Sequence, residues 1–173
     1  MKTLWMMVGV PGAGKSWFAQ NHIKASWDDR CVYVSRDQIR FGMLDDGEDY
    51  FSCENEVFEA FVSTIARYLN DEVTTDVIAD ATHLNWKSRW KLLNSLAQIA
   101  DMSKVDVIPV VVTASLDTCL ERNSERTGRA FVPKGVIRRM WYQMTDPKND
   151  DYKYKVIWRV TNEKELRIEH EYT

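Results

Sequence analysis

Gly9-Val10-Pro11-Gly12-Ala13-Gly14-Lys15-Ser16 is the stretch on which the reading of this chain turns. It matches the pattern G-x-x-x-x-G-K-[ST]. An apolar run at residues 3–8 precedes it and a helix is expected over 16–24. That strand–loop–helix setting gives the pattern its meaning. Backbone N–H groups of such a loop and of the following helix converge on phosphate oxygens. Glycine lets the backbone approach an anion and take φ values closed to other residues. Gly9, Gly12, Ala13, Gly14, Lys15 and Ser16 are therefore expected to hold nucleotide phosphates. Lys15 reaches the β- and γ-phosphates, and the Ser16 hydroxyl is a hard oxygen ligand for Mg²⁺. The chain has only seven glycines in 173 residues, and three fall in this loop.

Working outward, apolar strands alternate with helical patterns. A second short strand is expected at 31–34, then a helix from about 36, capped by Ser35 with Gln38 three positions on. Residues 42–52 are acidic and read as a solvated loop. A helix follows at 54–70 and a strand at 76–80. Asn85 caps a helix with Trp86, Trp90, Leu93 and Ala97 on its expected core face. A strand at 106–113 contains Pro109, which suggests an edge position or an irregularity. Ser115 caps a helix from 116 to about 126, residues 127–132 form a loop, and Pro133 opens a helix with an apolar face. Two strands are expected at 155–161 and 166–172. The alternation implies an α/β fold with a mostly parallel sheet covered on both faces. The expected organisation is one domain over 1–173, with a lid region at 116–145 and a C-terminal strand or hairpin at 150–173.

The net charge is −3 and the mean hydropathy −0.42, with no apolar run of the ~20 residues that a membrane span needs. The charge argues against general coating of nucleic acid. It is unevenly spread: residues 120–140 carry six basic and two acidic residues, a local +4 that leaves −7 elsewhere. A local cationic lid over phosphates fits that distribution. Cys31, Cys53 and Cys119 are far apart and read as reduced thiols, and the three histidines form no metal-ligand pattern. The first apolar run reads as a strand rather than a signal peptide. No targeting motif is visible, so a cytoplasmic protein without membrane contact is expected. Most aromatics sit at core spacing, while Trp17, beside Ser16, is the one assigned to stacking on a base.

Other residues bear on what accepts a phosphate. Asp80 ends the strand at 76–80 and is expected to hold Mg²⁺ through water, with Ser16 as the other ligand. Asp37 and Arg40 lie three apart at a helix start and so share a face. Asp37 suits removal of a hydroxyl proton, and Arg40 suits an anion on the acceptor. Arg122 and Arg126, four apart, are expected on one helix face, from which a mobile lid brings guanidinium groups over a transferring phosphoryl group. Arg129 reads as solvated surface.

Four segments together carry a family resemblance: Gly9 to Ser16, then Ser35-Arg36-Asp37-Gln38-Ile39-Arg40, then Asp80-Ala81-Thr82-His83-Leu84-Asn85 with Arg89, then Glu121-Arg122-Asn123-Ser124-Glu125-Arg126 leading to Val132-Pro133. Over residues 1 to about 147 the chain resembles the P-loop polynucleotide kinases that phosphorylate 5′-hydroxyl ends in bacteriophage end repair. The resemblance implies a P-loop kinase fold with a helical lid, ATP or another nucleoside triphosphate as donor, Mg²⁺, and the 5′ ends of DNA or RNA as substrate. It makes Lys15, Asp37 and Arg126 catalytic, with Asp37 as general base and Arg126 as a clamp on the donor phosphates. It adds Arg122 to the nucleotide site, and Arg40 and Thr82 to the acceptor site. Small-molecule kinases acting on a nucleoside or sugar, and zeta-type toxin kinases, share much of the motif set and stand as the alternative. A nucleotide-binding module whose hydrolysis drives a partner is a third reading, one in which the Asp37–Arg40 pair has no task.

Overall fold

A computed structural model describes residues 1–26 and 29–173. Among the described residues, six strands form one sheet in the order β2-β3-β1-β4-β5-β6. They are β1 (Lys2–Val8), β2 (Cys31–Ser35), β3 (Asp76–Asp80), β4 (Val105–Thr113), β5 (Val156–Asn162) and β6 (Leu166–Tyr172). All neighbours are parallel except β5 and β6, which pair antiparallel from Val156 opposite Tyr172 to Asn162 opposite Leu166. β1 and β3 are buried almost throughout because helices cover both faces, so their sequences are continuous apolar runs rather than alternating ones. The helices are α1 (Lys15–Phe18), α2 (Arg36–Met43), α3 (Glu54–Asn70), α4 (Trp86–Ala97), α5 (Leu116–Ser124) and α6 (Lys134–Gln143). One core packs Phe61, Ile65, Leu92 and Leu96 of α3 and α4 on one face of the sheet. A second packs Phe18, Ile23, Cys119 and Ile137 on the other. No helix among the described residues is long and apolar enough to cross a membrane.

Several local expectations need correction. The helix after the glycine loop is α-helical only to Phe18. It continues as a π turn over Ala19–Ile23 and a 3-10 turn over Lys24–Ser26. The wider turn brings Phe18 and Ile23, five apart, onto the same buried side. Pro109 lies in a central strand, not at an edge. It pairs opposite Met6 of β1, and the β5 ladder starts only at Val110, so Pro109 sits at the end of one of the two ladders of β4. The buried face of α4 is Arg89, Leu92, Leu93 and Leu96, while Trp86, Trp90 and Ala97 point outward. The guanidinium of Arg89, drawn inward to Asp150, shares that face with the three leucines. Finally, α5 ends at Ser124, so Arg126 lies beyond the helix rather than on a shared face with Arg122.

Caps set where the site-bearing elements begin. Ser35 Oγ accepts from Gln38 N at 3.3 Å and starts α2. Asn85 and Ser88 exchange bonds in a complete capping box that starts α4. Ser35 ends β2 and Asn85 follows β3, so both caps lie at the C-terminal ends of parallel strands, the sheet edge at which ligands collect in such folds.

Candidate active site

The glycine loop runs from the end of β1 into α1, anchored by a bond from Gly9 N to Thr82 O at 3.0 Å. Two of its glycines are required by geometry. Gly12 has φ of 84°, and a Cβ there would lie 2.4 Å from Cys119 O. Gly14 has φ of 95°, and a Cβ would meet Asn162 Nδ2 at 1.9 Å. The loop is gripped from behind. Asn162 Nδ2 donates to Ala13 O at 3.1 Å. Arg122 Nη1 reaches the Gly12 and Ala13 carbonyls at 3.3 and 3.4 Å, and its Nη2 donates to Asn162 O at 2.8 Å. Three loop carbonyl contacts from two side chains turn the loop N–H groups the other way.

Lys15 is buried and its Nζ donates to Val10 O at 3.0 Å. Burial lowers its pKa, with Asp80 opposing that shift. A buried ammonium with one backbone acceptor suits a phosphate anion. Ser16 Oγ donates to Asp80 Oδ2 at 2.5 Å, and Tyr33 OH donates to the same oxygen at 2.5 Å. Burial, then the Asp80 charge, push the Tyr33 phenol up to about 12, so it stays a donor. A hydroxyl and a carboxylate in contact are the hard oxygen donors that Mg²⁺ selects, and they fit that ion. The described residues contain no cluster of three or more His, Cys, Asp or Glu that could hold a metal by themselves. Mg²⁺ there would depend on phosphate and water for its remaining ligands, as is usual.

A cleft of about 790 Å³ opens beside this loop. Its lining brings together Lys15, Ser16, Asp37, Arg40, Asp80, Thr82 and Arg126. Across from Lys15, Arg40 Nη1 bonds Asp37 Oδ1 at 2.6 Å, and Arg40 Nη2 bonds Glu54 Oε2 at 2.7 Å. Tyr50 OH donates to Asp37 Oδ1 at 2.7 Å, and its ring lies 4.2 Å from the Arg40 guanidinium carbon. Burial, then the bond to Asp37, raise the Tyr50 pKa. Glu54 also pairs with Arg36. Both donors to Asp37 use Oδ1, and its side chain is 62% exposed toward the cleft. Asp37 therefore has one oxygen engaged and the other free.

The arginines of the expected lid divide. Arg126 is exposed at the cleft and holds only a 3.5 Å contact to Ala130 O. Arg129, read as solvated, instead crosses the cleft mouth and donates to Leu44 O at 3.2 Å and Asp45 O at 2.5 Å. It ties the segment after α5 to the acidic loop. Trp17 is half exposed, edge-on to His22 with ring centres 5.0 Å apart, and is not part of the cleft lining. Arg122, as described, grips the loop from outside the cleft lining.

Tyr33, Tyr50, Glu54 and Asn162 were not legible as site residues. Tyr50 lies in the run read as a solvated loop, and Glu54 is the first residue of α3, an acid in its first turn. The spacing Tyr50–Glu54 is the one sequence signal that joins them. Asn162 is separated from Ala13 by 149 positions, and only the parallel pairing of β5 with β4 brings it to the loop.

A family model described as an AAA domain matches residues 4–147. Among solved structures, a chain of the Pnkp1/Rnl/Hen1 RNA repair complex superposes with a TM-score of 0.64 at 24% identity, over 82% of this chain and 43% of that one. The protein thus spans less than half the length of that relative. A candidate kinase from Chloroflexus aurantiacus J-10-fl gives 0.69 at 16% identity, over 92% of this chain and 85% of that one. A sugar kinase from Janibacter sp. HTCC2649 gives 0.57 at 14% identity, over 92% and 85%. These likenesses share the P-loop kinase fold.

Proposed function

The chain belongs to the AAA domain family, and we propose that this member is a polynucleotide kinase that transfers the γ-phosphate of ATP to the 5′-hydroxyl end of DNA or RNA. One observation carries the reading: Asp37, with a free carboxylate oxygen, shares a cleft with the buried Lys15 ammonium and the exposed Arg126 guanidinium. A held carboxylate across the cleft from the phosphate loop is placed to meet the hydroxyl of a second substrate.

The free Asp37 oxygen takes the proton of the acceptor hydroxyl as that oxygen attacks the γ-phosphorus. The bond to the β,γ-bridging oxygen breaks, and the nucleoside diphosphate remains in the glycine loop. Arg40 and Tyr50 hold Asp37 through its other oxygen, so the base needs no reorientation during the step. Loop N–H groups and Lys15 stabilise the charge on the β- and γ-phosphates. Arg126 swings from its weak perch on Ala130 onto the transferring group. Mg²⁺ bound at Ser16, with Asp80 behind it, would neutralise phosphate charge.

A small-molecule acceptor is the second reading, and a specific observation favours it. The charge of Arg40 is already met by Asp37 and Glu54, so the acceptor side has little spare cation for a phosphate. A panel of acceptors with labelled ATP separates the two: 5′-hydroxyl oligonucleotides, nucleoside 3′-monophosphates, nucleosides and sugars. Transfer to oligonucleotides, lost in Asp37→Ala while nucleotide binding persists, supports the proposal. Transfer confined to sugars or nucleosides overturns it.

A further inference from the structure

We infer that the outer face of the first two turns of α4 is a track for the acceptor strand, with bases stacked on Trp86 and Trp90 and phosphates on Lys87 and Lys91. The inference deepens the polynucleotide reading and rests on it for the chemistry, though not for the binding.

The face is unusual in composition. Trp86 is 49% exposed and Trp90 is 59% exposed. They are four apart and make one stripe, and Lys87 and Lys91, also four apart, make the adjoining one. α4 carries no acidic residue in its sequence WKSRWKLLNSLA, although the whole chain is at −3. Its third cation, Arg89, is internal and paired with Asp150. Beside the tryptophans lies a shallow hollow bordered by Tyr152 and by Asp151, an exposed carboxylate. An aromatic stripe flanked by a lysine stripe matches a single strand, which presents a π-face at every base and an anion between bases. An apolar protein partner would leave the lysine stripe without a counterpart.

The position is equally specific. α4 starts directly after the segment whose Ala81 and Thr82 line the cleft. On one side Trp86 N donates to Thr145 Oγ1 at 3.0 Å, just past α6 of the lid region. On the other, Lys91 Nζ lies 4.2 Å from the centre of the Phe58 ring, and the guanidinium of Arg36, a cleft residue, lies 5.3 Å from the same centre. The two cations share one ring, so the lysine stripe adjoins the Arg36 side of the cleft. A strand with its first nucleotide at Asp37, leaving between Arg36 and the lid, meets Lys91 and Lys87 and then the tryptophans.

The test compares acceptor lengths. For the wild-type protein, KM for a 5′-hydroxyl 12-mer is expected to be well below that for a nucleoside 3′-monophosphate. In Trp86→Ala/Trp90→Ala the 12-mer KM should rise roughly tenfold, in line with the stacking strength of one base or more. The KM for the mononucleotide and the kcat should be unchanged. In Lys87→Ala/Lys91→Ala the slope of log Kd against log salt, read by anisotropy of a labelled 12-mer, should fall by about 1.4 for two lost phosphate contacts. Both pairs are exposed, and unchanged melting temperatures check the fold. Equal 12-mer affinity in wild type and both variants overturns the track and leaves the kinase reading standing. Variant-sensitive 12-mer binding without any transfer to 5′-hydroxyls upholds the track and overturns that reading.

Discussion

Two arginines in this molecule are buried to nearly the same degree, and they behave differently. Arg89 has all five N–H donors engaged: two by Asp150, and the rest by His83 O, Thr145 O and Thr145 Oγ1. Arg40 pairs with Asp37 and Glu54, but its Nε has no partner. The decisive difference lies on the carboxylate. Asp150 is 6% exposed and Asp37 is 62% exposed. A walled-in ion pair ties β3–α4 to the C-terminal segment. An ion pair with one open oxygen leaves a held carboxylate facing the cleft, the arrangement that the proposed base requires. Burial of the cation alone does not distinguish structure from chemistry; exposure of its anion does.

The sharpest break between the two pairs is functional. Asp37→Ala should lower phosphoryl transfer by about 10²- to 10⁴-fold, the usual worth of a general base, with nucleotide binding and melting temperature nearly unchanged. Labelled-ATP transfer and calorimetry read the two halves. Asp150→Ala should do the reverse, costing about 3–5 kcal/mol of stability because it strands the Arg89 charge. Urea unfolding measures it, and a loss below 1 kcal/mol would contradict the contrast.

The Arg89 side also carries a pH signature. His83 lends its carbonyl to Arg89, and its Nδ1 donates to Met7 O at 2.6 Å. Burial lowers its pKa to about 4, against the opposing bond to Met7. The unfolded chain therefore takes up a proton below about pH 6.5 while the folded chain does not. Stability should fall as pH drops from 6.5 to 4, by at most about 3 kcal/mol, and flatten below. His83 has φ of 39°, a region that asparagine tolerates. His83→Asn should remove that slope in unfolding curves taken across the window.

The smallest effect refines the Asp37 side. Tyr50→Phe keeps the ring over Arg40 and deletes one bond to Asp37. We expect about a tenfold loss in kcat, in keeping with one hydrogen bond to a charged group, and an unchanged KM for ATP. A kcat equal to wild type would leave Arg40 as the sole orienter of the base.

Much of this was legible in sequence because the signals are local. The glycine loop is one contiguous run. The caps at Ser35, Asn85 and Ser115 act within three or four residues, and the continuous apolar strands announce a covered sheet. What failed depended on distance. Trp86 and Trp90 have the spacing of a core stripe, but α4 turns inward the face of Leu92, Leu93, Leu96 and Arg89, and the partner of Arg89 lies 61 positions away. Arg122 and Arg126 have the spacing of one helix face, but α5 stops at Ser124 and the two part. Arg129 looked idle because its acceptors are backbone carbonyls 84 and 85 residues earlier.

By itself, then, the sequence determined that this chain builds a phosphate-holding loop on a parallel sheet, since that geometry needs only consecutive residues and strand-length apolar runs. Tertiary structure alone decided which carboxylate is open to a substrate, which arginine braces the loop and which tryptophans face out. Those properties belong to pairs brought together by strand order and helix rotation, and a linear pattern carries no record of either.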